Sequence, residues 1–288
     1  MDSCKNILVT GANGQLGMEF RALVKLFPAY QFFFTTKDDL PITDTRLVEK
    51  YFSEKEIYCC INCAAYTAVD KSETDRETAL LVNADAASAL ASICKKYKSI
   101  FFHFSTDYVF DGNAHTAYTE NFETKPVNFY GQTKLEGEQQ VQKNNADAII
   151  IRTSWVYSSY GKNFVKTMLR LMSEKESIAV VNDQLGSPTY AADLALAVMH
   201  ILQSGTAPQG GIYHYCNEGV ISWYDFANEI KLLSHSKCAV NAISTSEYPT
   251  PAKRPKYSAL QTDKIKNTFH ISIPGWKDGL YKCIKLLQ

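Results

Sequence analysis

The sequence predicts an α/β fold built on a doubly wound parallel sheet. Short apolar runs of strand length alternate with amphipathic stretches through the first half of the chain. A glycine-rich turn directly follows the first of these runs. Such alternation is typical of repeated βαβ units, in which helices cover both faces of a parallel sheet. The 288 residues are enough for this core and a smaller second lobe.

Five apolar runs are predicted to be the first strands of the core: KNILVT, QFFFTT, YCCINCAA, SIFFHFS and DAIIIRTSW. Beyond them the pattern loosens. A helix is predicted over GKNFVKTMLRLMSE, and a strand with a loop over SIAVVNDQLGSPT. An amphipathic helix is predicted over YAADLALAVMHILQSG, ending at Gly205, and a further core strand over GGIYHYCN.

The rest of the chain is predicted to complete the smaller C-terminal lobe. A helix is predicted over SWYDFANEIKLL, with Ser222 as its N-cap. An extended segment or a loop is predicted over TSEYPTPAKRPKYSAL, because its prolines interrupt regular structure. The predicted core is therefore residues 1–153 completed by 189–218, and the predicted lobe is 154–188 with 219–288.

Composition argues against several classes of function. Thirty basic side chains balance thirty acidic ones, so no global field attracts nucleic acid or an anionic membrane. No run of about 18 apolar residues occurs, and MDSCKNILVTG leads into a strand without the pattern of a signal peptide. We therefore expect a soluble, cytoplasmic protein that binds neither nucleic acid nor membranes.

Metal binding is not expected either. Eight cysteines are scattered along the chain, mostly in apolar runs, which suits buried thiols in a reducing compartment. Cys60 and Cys63 form a CxxC motif, but this motif lies inside an apolar run and lacks further ligands at compatible spacing. The six histidines are dispersed.

The stretch LVTGANGQLGMEF places three glycines between a predicted strand and a predicted helix. Gly11, Gly14 and Gly17 permit a tight turn and let backbone N–H groups approach a pyrophosphate at the helix N-terminus. This arrangement predicts a dinucleotide site. The second strand ends in threonines followed by Lys37, which suits the 2′-phosphate of NADP(H), although NAD(H) is also compatible.

Tyr130 and Lys134 stand four residues apart in NFYGQTKLEGE, where a helix is predicted to begin. Residues at this spacing share one helix face. The pair is therefore either a surface contact or a device for proton transfer, and the motif alone does not separate the two.

Three stretches occur together: the GxxGxxG turn, STDYVFDG after a predicted strand, and YGQTK. Together they resemble the extended short-chain dehydrogenase/reductase superfamily, whose core is a Rossmann-type fold. Further strings resemble its dTDP-4-dehydrorhamnose reductase branch nearly end to end: NCAAYTAVDKSE, LVNADAASALA, RTSWVYSSYGKNFV, DQLGSPTYAADLA, SWYDFA and PAKRPKYSAL.

The resemblance implies that Tyr130 protonates a carbonyl oxygen, that Lys134 holds the nicotinamide ribose, and that Thr106 hydrogen-bonds the carbonyl. A nearby ammonium is also expected to lower the pKa of Tyr130. The expected cofactor-binding positions are Gly11, Gly14, Gln15, Leu16, Gly17, Lys37, Ile42, Ala64, Ala65, Tyr66, Phe104, Tyr130 and Lys134. The expected substrate-binding positions are Thr106, Asp107, Tyr130, Trp155 and Arg254. Among these, Arg254 is the member of a basic cluster that suits a bidentate phosphate contact.

The chain departs from the family pattern in two places. It reads LPITD where the family often reads LDITD, so contact with the adenine is expected from the backbone at Ile42. The neighbourhoods that bind a dimer-linking Mg²⁺ in some members hold few acidic residues here, so no structural metal is predicted. The expected assembly is a monomer or a homodimer.

The resemblance implies NADPH-dependent reduction of the C4 keto group of dTDP-4-dehydro-L-rhamnose, the last step of dTDP-L-rhamnose biosynthesis. Reduction of another nucleotide-linked 4-keto-6-deoxy sugar is a close alternative, and the sequence does not separate the two. A non-catalytic NADP-binding regulatory subunit is the alternative from another class. The intact set of Thr106, Tyr130 and Lys134 favours an enzyme.

Overall fold

The computed structural model describes residues 4–204 and 209–288. Its strands are, in chain order, β1 (Lys5–Thr10), β2 (Tyr30–Thr35), β3 (Ile57–Asn62), β4 (Ile100–Thr106), β5 (Ile149–Thr153), β6 (Val156–Tyr157), β7 (Ser177–Val181), β8 (Leu185–Gly186), β9 (Thr189–Tyr190), β10 (Gly211–His214), β11 (Ile221–Ser222) and β12 (Ala239–Ile243). Six of them form one parallel sheet in the order β2, β1, β3, β4, β5, β10. The strand order reverses between β1 and β3, the position at which such sheets bind ligands beyond their carboxyl ends.

The helices of the described residues are α1 (Gln15–Leu23), α2 (Thr45–Lys55), α3 (Val69–Ser72), α4 (Arg76–Leu80), α5 (Ala86–Lys96), α6 (Phe129–Asn144), α7 (Phe164–Glu174), α8 (Ala191–Gln203), α9 (Trp223–Leu233), α10 (Asp263–Phe269) and α11 (Trp276–Leu287). One turn of π-helix, Leu81–Asp85, connects α4 to α5. The predicted doubly wound α/β fold is confirmed, with each predicted strand and helix in its place.

The alternation of side chains along the strands explains why helices cover both faces of the sheet. From β1, Ile7 and Val9 point to one face, where they join a cluster with residues of α1, α8 and α10. Leu8 points to the other face, where α2, α5 and α6 contribute the cluster. Both faces are therefore buried, which accounts for the nearly continuous apolar runs of these strands.

The C-terminal lobe has a hydrophobic core of its own, formed by α7, β7, α9 and α11 with residues of β6 and β9. The predicted division of the chain differs from the packing at one helix. Ile265 and Phe269 of α10 belong to the cluster on the core sheet, and the Phe269 ring lies 5.0 Å from that of Tyr213 on β10. Part of 219–288 therefore packs on the core rather than in the lobe, because α10 has an apolar face that covers β10. The remaining boundaries stay predictions.

Several local predictions can be placed on this fold. The predicted end of α8 at Gly205 lies outside the described residues, as does the start of MDSCKNILVTG. Ser222 caps α9 in a reciprocal capping box with Asp225. The tail TSEYPTPAKRPKYSAL is irregular, apart from a single 3₁₀ turn at Thr245–Glu247 and isolated bridges at Tyr257 and Leu260. No helix of the described residues is long and apolar enough to cross a membrane.

Candidate active site

A cleft of about 630 Å³ lies beyond the carboxyl ends of β1, β3, β4 and β5, with the C-terminal lobe as its opposite wall. Its volume is within the range of small-molecule sites. Ten of the predicted site residues line it: Gly14, Gln15, Leu16, Ala65, Phe104, Thr106, Asp107, Tyr130, Lys134 and Trp155. The fold therefore brings together residues that are up to about 140 positions apart in the chain.

The glycine turn joins β1 to α1 at the floor of the cleft. Gly11 has a φ of +63°, and a Cβ there would lie 2.6 Å from the backbone nitrogen of Ala64. A Cβ on Gly17 would lie 2.6 Å from the Gly11 carbonyl oxygen. The turn is therefore packed too closely to accept a side chain at Gly11 or Gly17. Gly14 is the N-cap of α1 and has no capping side chain, so the N–H groups of the first turn are available to an anion.

Gln15 connects the turn to the C-terminal lobe. Its side-chain carbonyl accepts a hydrogen bond of 2.9 Å from Asn163 Nδ2, and its amide donates to the carbonyl of Val156 at 3.5 Å. Gly161 in the same lobe segment approaches the Gln15 side chain closely. Gln15 therefore fixes the lobe against the turn, in addition to its predicted place near the pyrophosphate.

Helix α6 presents Tyr130 and Lys134 to the cleft. Asn128 caps the helix by accepting a hydrogen bond from the N–H of Gly131, and Glu73 accepts from the N–H of Phe129. A Cβ on Gly131 would lie 2.1 Å from the Tyr108 carbonyl oxygen. Glycine at this position therefore allows α6 to pack closely against the turn that follows β4. Tyr130 consequently lies in the first turn of α6, beside Thr106.

Lys134 is buried, with 2% of its surface exposed, and its ammonium donates to the carbonyl of Phe104 at 2.7 Å. Burial lowers the pKa of Lys134 to about 8, against an opposing effect of the Glu138 carboxylate. An ammonium with this pKa is still mostly charged at neutral pH. Its charge also contributes to holding down the pKa of buried His103, after burial itself.

The sequence predicts that the Lys134 ammonium lowers the pKa of Tyr130, but the side chains around Tyr130 raise it. Burial raises the pKa of Tyr130, and the Asp107 carboxylate adds to the increase, while a hydrogen bond with Thr106 opposes it. The reason is that desolvation penalises the phenolate, and the Lys134 ammonium is directed at the Phe104 carbonyl. The protein side chains therefore hold Tyr130 in its protonated form, which is the form that can donate a proton.

Asp107 has 2% of its surface exposed, and burial raises the pKa of its carboxyl group to about 6. The Thr106 hydroxyl donates to its Oδ1 at 3.0 Å, and the Ser258 hydroxyl also favours the charged form. Its Oδ2 is buried and has no hydrogen-bond partner among the described residues. A buried carboxyl group with a raised pKa in a cleft is a common feature of functional sites.

Behind the cleft, Glu138 and Arg152 form a buried ion pair. The guanidinium donates to both carboxylate oxygens, Nε to Oε1 at 2.9 Å and Nη2 to Oε2 at 2.7 Å. The two side chains are 1% and 2% exposed. Glu138 lies one turn beyond Lys134 on α6, so the pair joins the helix that bears Tyr130 to β5.

Trp155 stacks on Trp223 at the lobe side of the cleft, with ring centroids 3.6 Å apart and an angle of 11° between the rings. Its φ of +46° is unusual for a residue other than glycine. A Cβ on Gly186 would lie 2.7 Å from the Trp155 ring, so the indole fits because this position is a glycine. The Trp155 and Trp223 rings together form an aromatic wall.

Seven predicted residues are not among those that line the cleft. Gly11, Gly17 and Ala64 lie in the packed turn described above, and the other four are Lys37, Ile42, Tyr66 and Arg254. Lys37 follows β2 in a turn where Asp39 accepts hydrogen bonds from the N–H and hydroxyl of Thr36, so that hydroxyl is already engaged. Ile42 is buried. Tyr66 donates its N–H to Asn83 and its hydroxyl to Asp75.

Arg254 is the fourth, and one side of its guanidinium is already engaged by a protein side chain, whereas the sequence predicts a bidentate phosphate contact. Its Nη2 donates to Asp70 at 2.9 Å, and its guanidinium lies 5.9 Å from the centre of the Tyr108 ring. Its Nη1 is buried and has no partner among the described residues. Asp70 therefore engages Nη2, and Nη1, which carries two N–H groups, is the buried donor that is free of a partner among the described residues.

The sequence did not point to several residues that line the cleft. They are Asn13, Cys63, Thr67, Val69, Ser105, Tyr108, Thr153, Ser154, Val156, Gly161, Lys162, Leu194 and Trp223. Some had a detectable signal, since Tyr108 stands inside STDYVFDG and Trp223 inside SWYDFA. Among residues 4–204 and 209–288, no group of three or more histidine, cysteine or acidic side chains is placed to hold a metal ion.

Residues 5–288 match the family described as RmlD substrate binding domain. The dTDP-4-dehydrorhamnose reductase of Burkholderia thailandensis is 38% identical to the chain, over 97% of this chain and 98% of that protein. The chain belongs to the dTDP-4-dehydrorhamnose reductase family. The enzyme of this name from Escherichia coli K12 is also 38% identical, over 98% of both proteins.

A crystal structure of the Bacillus anthracis reductase in complex with NADP matches the fold with a TM-score of 0.94 and 38% identity, covering 98% of this chain and 99% of that one. The family predicted from the sequence is confirmed, as is its class, since the relatives named here are reductases. The roles of individual residues in this family member stay predictions.

Proposed function

We propose that the chain reduces the C4 keto group of dTDP-4-dehydro-L-rhamnose with NADPH to give dTDP-L-rhamnose. The observation that carries this proposal is the convergence of Thr106, Tyr130 and Lys134 in one cleft, next to a glycine turn with an uncapped helix N-terminus. The names of the relatives support the choice of substrate. The NADP in the related Bacillus anthracis structure supports the choice of cofactor.

The residues of the cleft fit a dinucleotide. The uncapped first turn of α1 suits the pyrophosphate, and the absence of a side chain at Gly14 allows close approach. The Ser105 hydroxyl is buried near this floor and has no partner among the described residues, so it is available to a ligand. Gly14, Leu16, Ala65, Phe104 and Lys134 would hold the cofactor. When bound, the reduced nicotinamide supplies a hydride to C4 of the sugar.

The side chains of the protein supply the proton and the orientation. Burial keeps Tyr130 protonated at neutral pH. The alkoxide that develops at C4 is a stronger base than a phenolate, so the phenol donates its proton to the C4 oxygen. Lys134 keeps its ammonium in the cleft and stabilises that charge. Trp155 and Trp223 limit the sugar pocket on the lobe side and exclude water.

The proposal is tested with purified protein, NADPH and enzymatically generated dTDP-4-dehydro-L-rhamnose, by following NADPH absorbance and identifying the product. We expect stoichiometric loss of NADPH and formation of dTDP-L-rhamnose. Other dTDP-linked 4-keto-6-deoxy hexoses are assayed in parallel, and a higher kcat/KM with one of them would replace the proposed substrate. Tight NADPH binding without turnover of any of these sugars would favour a regulatory subunit.

Cofactor preference depends on Lys37 in this proposal. Lys37→Ala is expected to raise the KM for NADPH about fivefold and to leave the KM for NADH unchanged, because only NADPH carries a 2′-phosphate and an exposed charge contact contributes about 1 kcal/mol. Steady-state kinetics with both cofactors measures this. Lys50→Ala, on the exposed face of α2, is the control. Equal effects of Lys37→Ala on both cofactors would contradict the assignment.

Arg254 is proposed to contact the substrate diphosphate through its unpartnered Nη1. Arg254→Ala is expected to raise the KM for the nucleotide-sugar at least about tenfold, since a charge-assisted hydrogen bond contributes about 1.5–3 kcal/mol. Asp70→Asn breaks the same ion pair but keeps the guanidinium. A rise in KM that only Arg254→Ala shows is therefore due to lost substrate binding rather than to lost packing. Arg254 is a structural residue instead if the two variants raise KM equally.

A further inference from the structure

Lys162 is an exposed lysine that lines the cleft from the C-terminal lobe. Among residues 4–204 and 209–288, its side chain has no hydrogen-bond or ion-pair partner. Lys134 is the other cationic side chain among the described residues that line the cleft, and its ammonium already donates to the Phe104 carbonyl at 2.7 Å. Lys162 is therefore the cation of the cleft that is free to bind an anionic ligand.

The loop from Ser158 to Asn163 holds Lys162 at the cleft. The Asn163 side chain donates to the backbone carbonyls of Ser158 and Tyr160 at 2.7 and 3.3 Å. The Ser158 hydroxyl in turn accepts from the N–H of Tyr160 at 2.9 Å. Gly161 has a φ of +64°, a backbone conformation that favours glycine. The loop is therefore closed by its own hydrogen bonds, and it presents Lys162 to the ligand.

The nearby lysine on α7 serves a different purpose. Lys166 stands four positions after Lys162, and its ammonium donates to the carbonyl of Ser159 at 3.1 Å. Lys166 is therefore used to hold the loop together. Lys162 makes no contact of this kind with the described residues, so the packing of the loop does not account for a cation at its position.

The same loop is fixed against α1, the helix that begins at the glycine turn. Asn163 Nδ2 donates to Gln15 Oε1 at 2.9 Å, and a Cβ on Gly161 would lie 3.0 Å from Gln15 Cγ. One turn further along α1, Glu19 accepts a buried hydrogen bond of 2.6 Å from the Ser158 hydroxyl. Gln15 is the first residue of α1, so the loop contacts the N-terminus of this helix on both sides of the lysine.

The N-terminus of α1 and the Lys162 ammonium can act on one anion from two sides. Gly14 begins α1 without a capping side chain, so the N–H groups of the first turn and the positive end of the helix dipole face the cleft. The buried Ser105 hydroxyl, which has no partner among the described residues, lines the same cleft. These groups reach a pyrophosphate from the core, whereas Lys162 reaches it from the lobe. An ammonium on a flexible stem suits this contact, because it binds as a point charge.

We propose that Lys162 binds the pyrophosphate of the nicotinamide cofactor, opposite the N-terminus of α1. The inference rests on the proposed function, in which the cleft holds NADPH. A pyrophosphate bound in this way links the core to the lobe, in addition to the hydrogen bond between Gln15 and Asn163. The contact differs from the one proposed for Lys37, because both NADPH and NADH have the pyrophosphate, whereas only NADPH has the 2′-phosphate.

The test measures dissociation constants of NADPH, NADH, ADP-ribose and dTDP for wild type, Lys162→Ala and Lys162→Arg by isothermal titration calorimetry at low salt. Lys162→Ala is expected to raise the Kd of NADPH and NADH by the same factor, about tenfold, because a charge-assisted contact with phosphate is lost. ADP-ribose has the pyrophosphate without the nicotinamide, so its Kd is expected to rise similarly. Lys162→Arg keeps the charge and is expected to stay within about threefold of wild type.

Two further measurements identify the contact as electrostatic binding. The effect of Lys162→Ala on the Kd of NADPH is expected to shrink to about twofold in about 1 M salt, because ions screen an exposed charge. With saturating NADPH, this variant is expected to keep kcat within about twofold of wild type, since the contact is equally strong in the ground state and the transition state.

Lys175→Ala is the control, since it removes an exposed lysine of the same lobe that does not line the cleft. It is expected to leave all four dissociation constants unchanged.

The outcomes separate this contact from the reaction. An unchanged Kd of NADPH in Lys162→Ala would overturn the inference and leave the proposed function intact. A loss of affinity for dTDP alone would assign Lys162 to the diphosphate of the nucleotide-sugar, and a loss for NADPH without NADH would assign it to the 2′-phosphate. Either result would also overturn the inference. Failure of wild type to bind NADPH or NADH would reject the proposed function, and the inference with it.

Discussion

Tyr130→Phe is expected to lower kcat by about 10³-fold, the largest effect on activity of any single change in the cleft. The variant removes the phenol proton that the C4 oxygen needs and leaves the aromatic ring. Because the Tyr130 ring packs edge-on against Tyr108 at 5.9 Å, phenylalanine keeps this contact and the fold is expected to persist. The measurement is single-turnover reduction with saturating NADPH, which reports chemistry rather than product release.

The control for this variant is Tyr51→Phe on α2. Burial also raises the pKa of Tyr51, but this tyrosine packs against Phe33 away from the cleft. Its kcat is expected to match that of wild type. Dissociation constants for NADPH are measured for both variants, since Tyr130→Phe should retain the cofactor within about threefold. Equal kcat values for Tyr130→Phe and wild type would show that Tyr130 is not the proton donor.

Much of the fold could be predicted because its signals are local. The strand KNILVT is apolar on both faces and is followed by the glycine turn, so two neighbouring segments specify β1, α1 and the dinucleotide site. The strands β6, β8, β9 and β11 contain two residues each and carry no pattern of their own. They form where distant loops meet, which no window of sequence reports.

Some features of the site could likewise be predicted from local sequence, whereas others depend on tertiary packing. Tyr130 and Lys134 are specified by one helix, and Thr106 by the end of one strand, so motifs locate them. Arg254 and Asp70 are 184 residues apart, and their ion pair follows from how the tail crosses α3. The direction of the Lys134 ammonium, towards the Phe104 carbonyl, is likewise a consequence of packing. Charge type could be predicted from the sequence, whereas the partner of each charge could not.

Arg152→Met is expected to lower the free energy of unfolding by about 3–5 kcal/mol, the largest stability effect predicted for this chain. Its guanidinium makes a bidentate contact with Glu138, and both side chains are almost fully buried. Removing one partner leaves the other charge buried without compensation, which costs more than the pair itself contributes. Urea unfolding followed by circular dichroism measures the change.

An exposed pair of the same type provides the control. Arg170 and Glu174 lie 2.8 Å apart on α7 with more than half of each side chain exposed, so Arg170→Met is expected to cost less than about 1 kcal/mol. A similar loss in the two variants would show that the Glu138–Arg152 pair is not effectively desolvated.

The double variant Glu138→Leu, Arg152→Met separates the structural role of this pair from its effect on Lys134. Replacing both charges with apolar side chains is expected to recover most of the lost stability, because no unpaired charge stays buried. The Glu138 carboxylate opposes the effect of burial on Lys134, so without it the pKa of Lys134 falls further below about 8. The affinity for NADPH should then weaken at a lower pH than in wild type, because the neutral amine appears earlier as the pH rises. A fluorescence titration of NADPH at several pH values measures this, and identical pH dependence in the two proteins would mean that Glu138 does not act on Lys134.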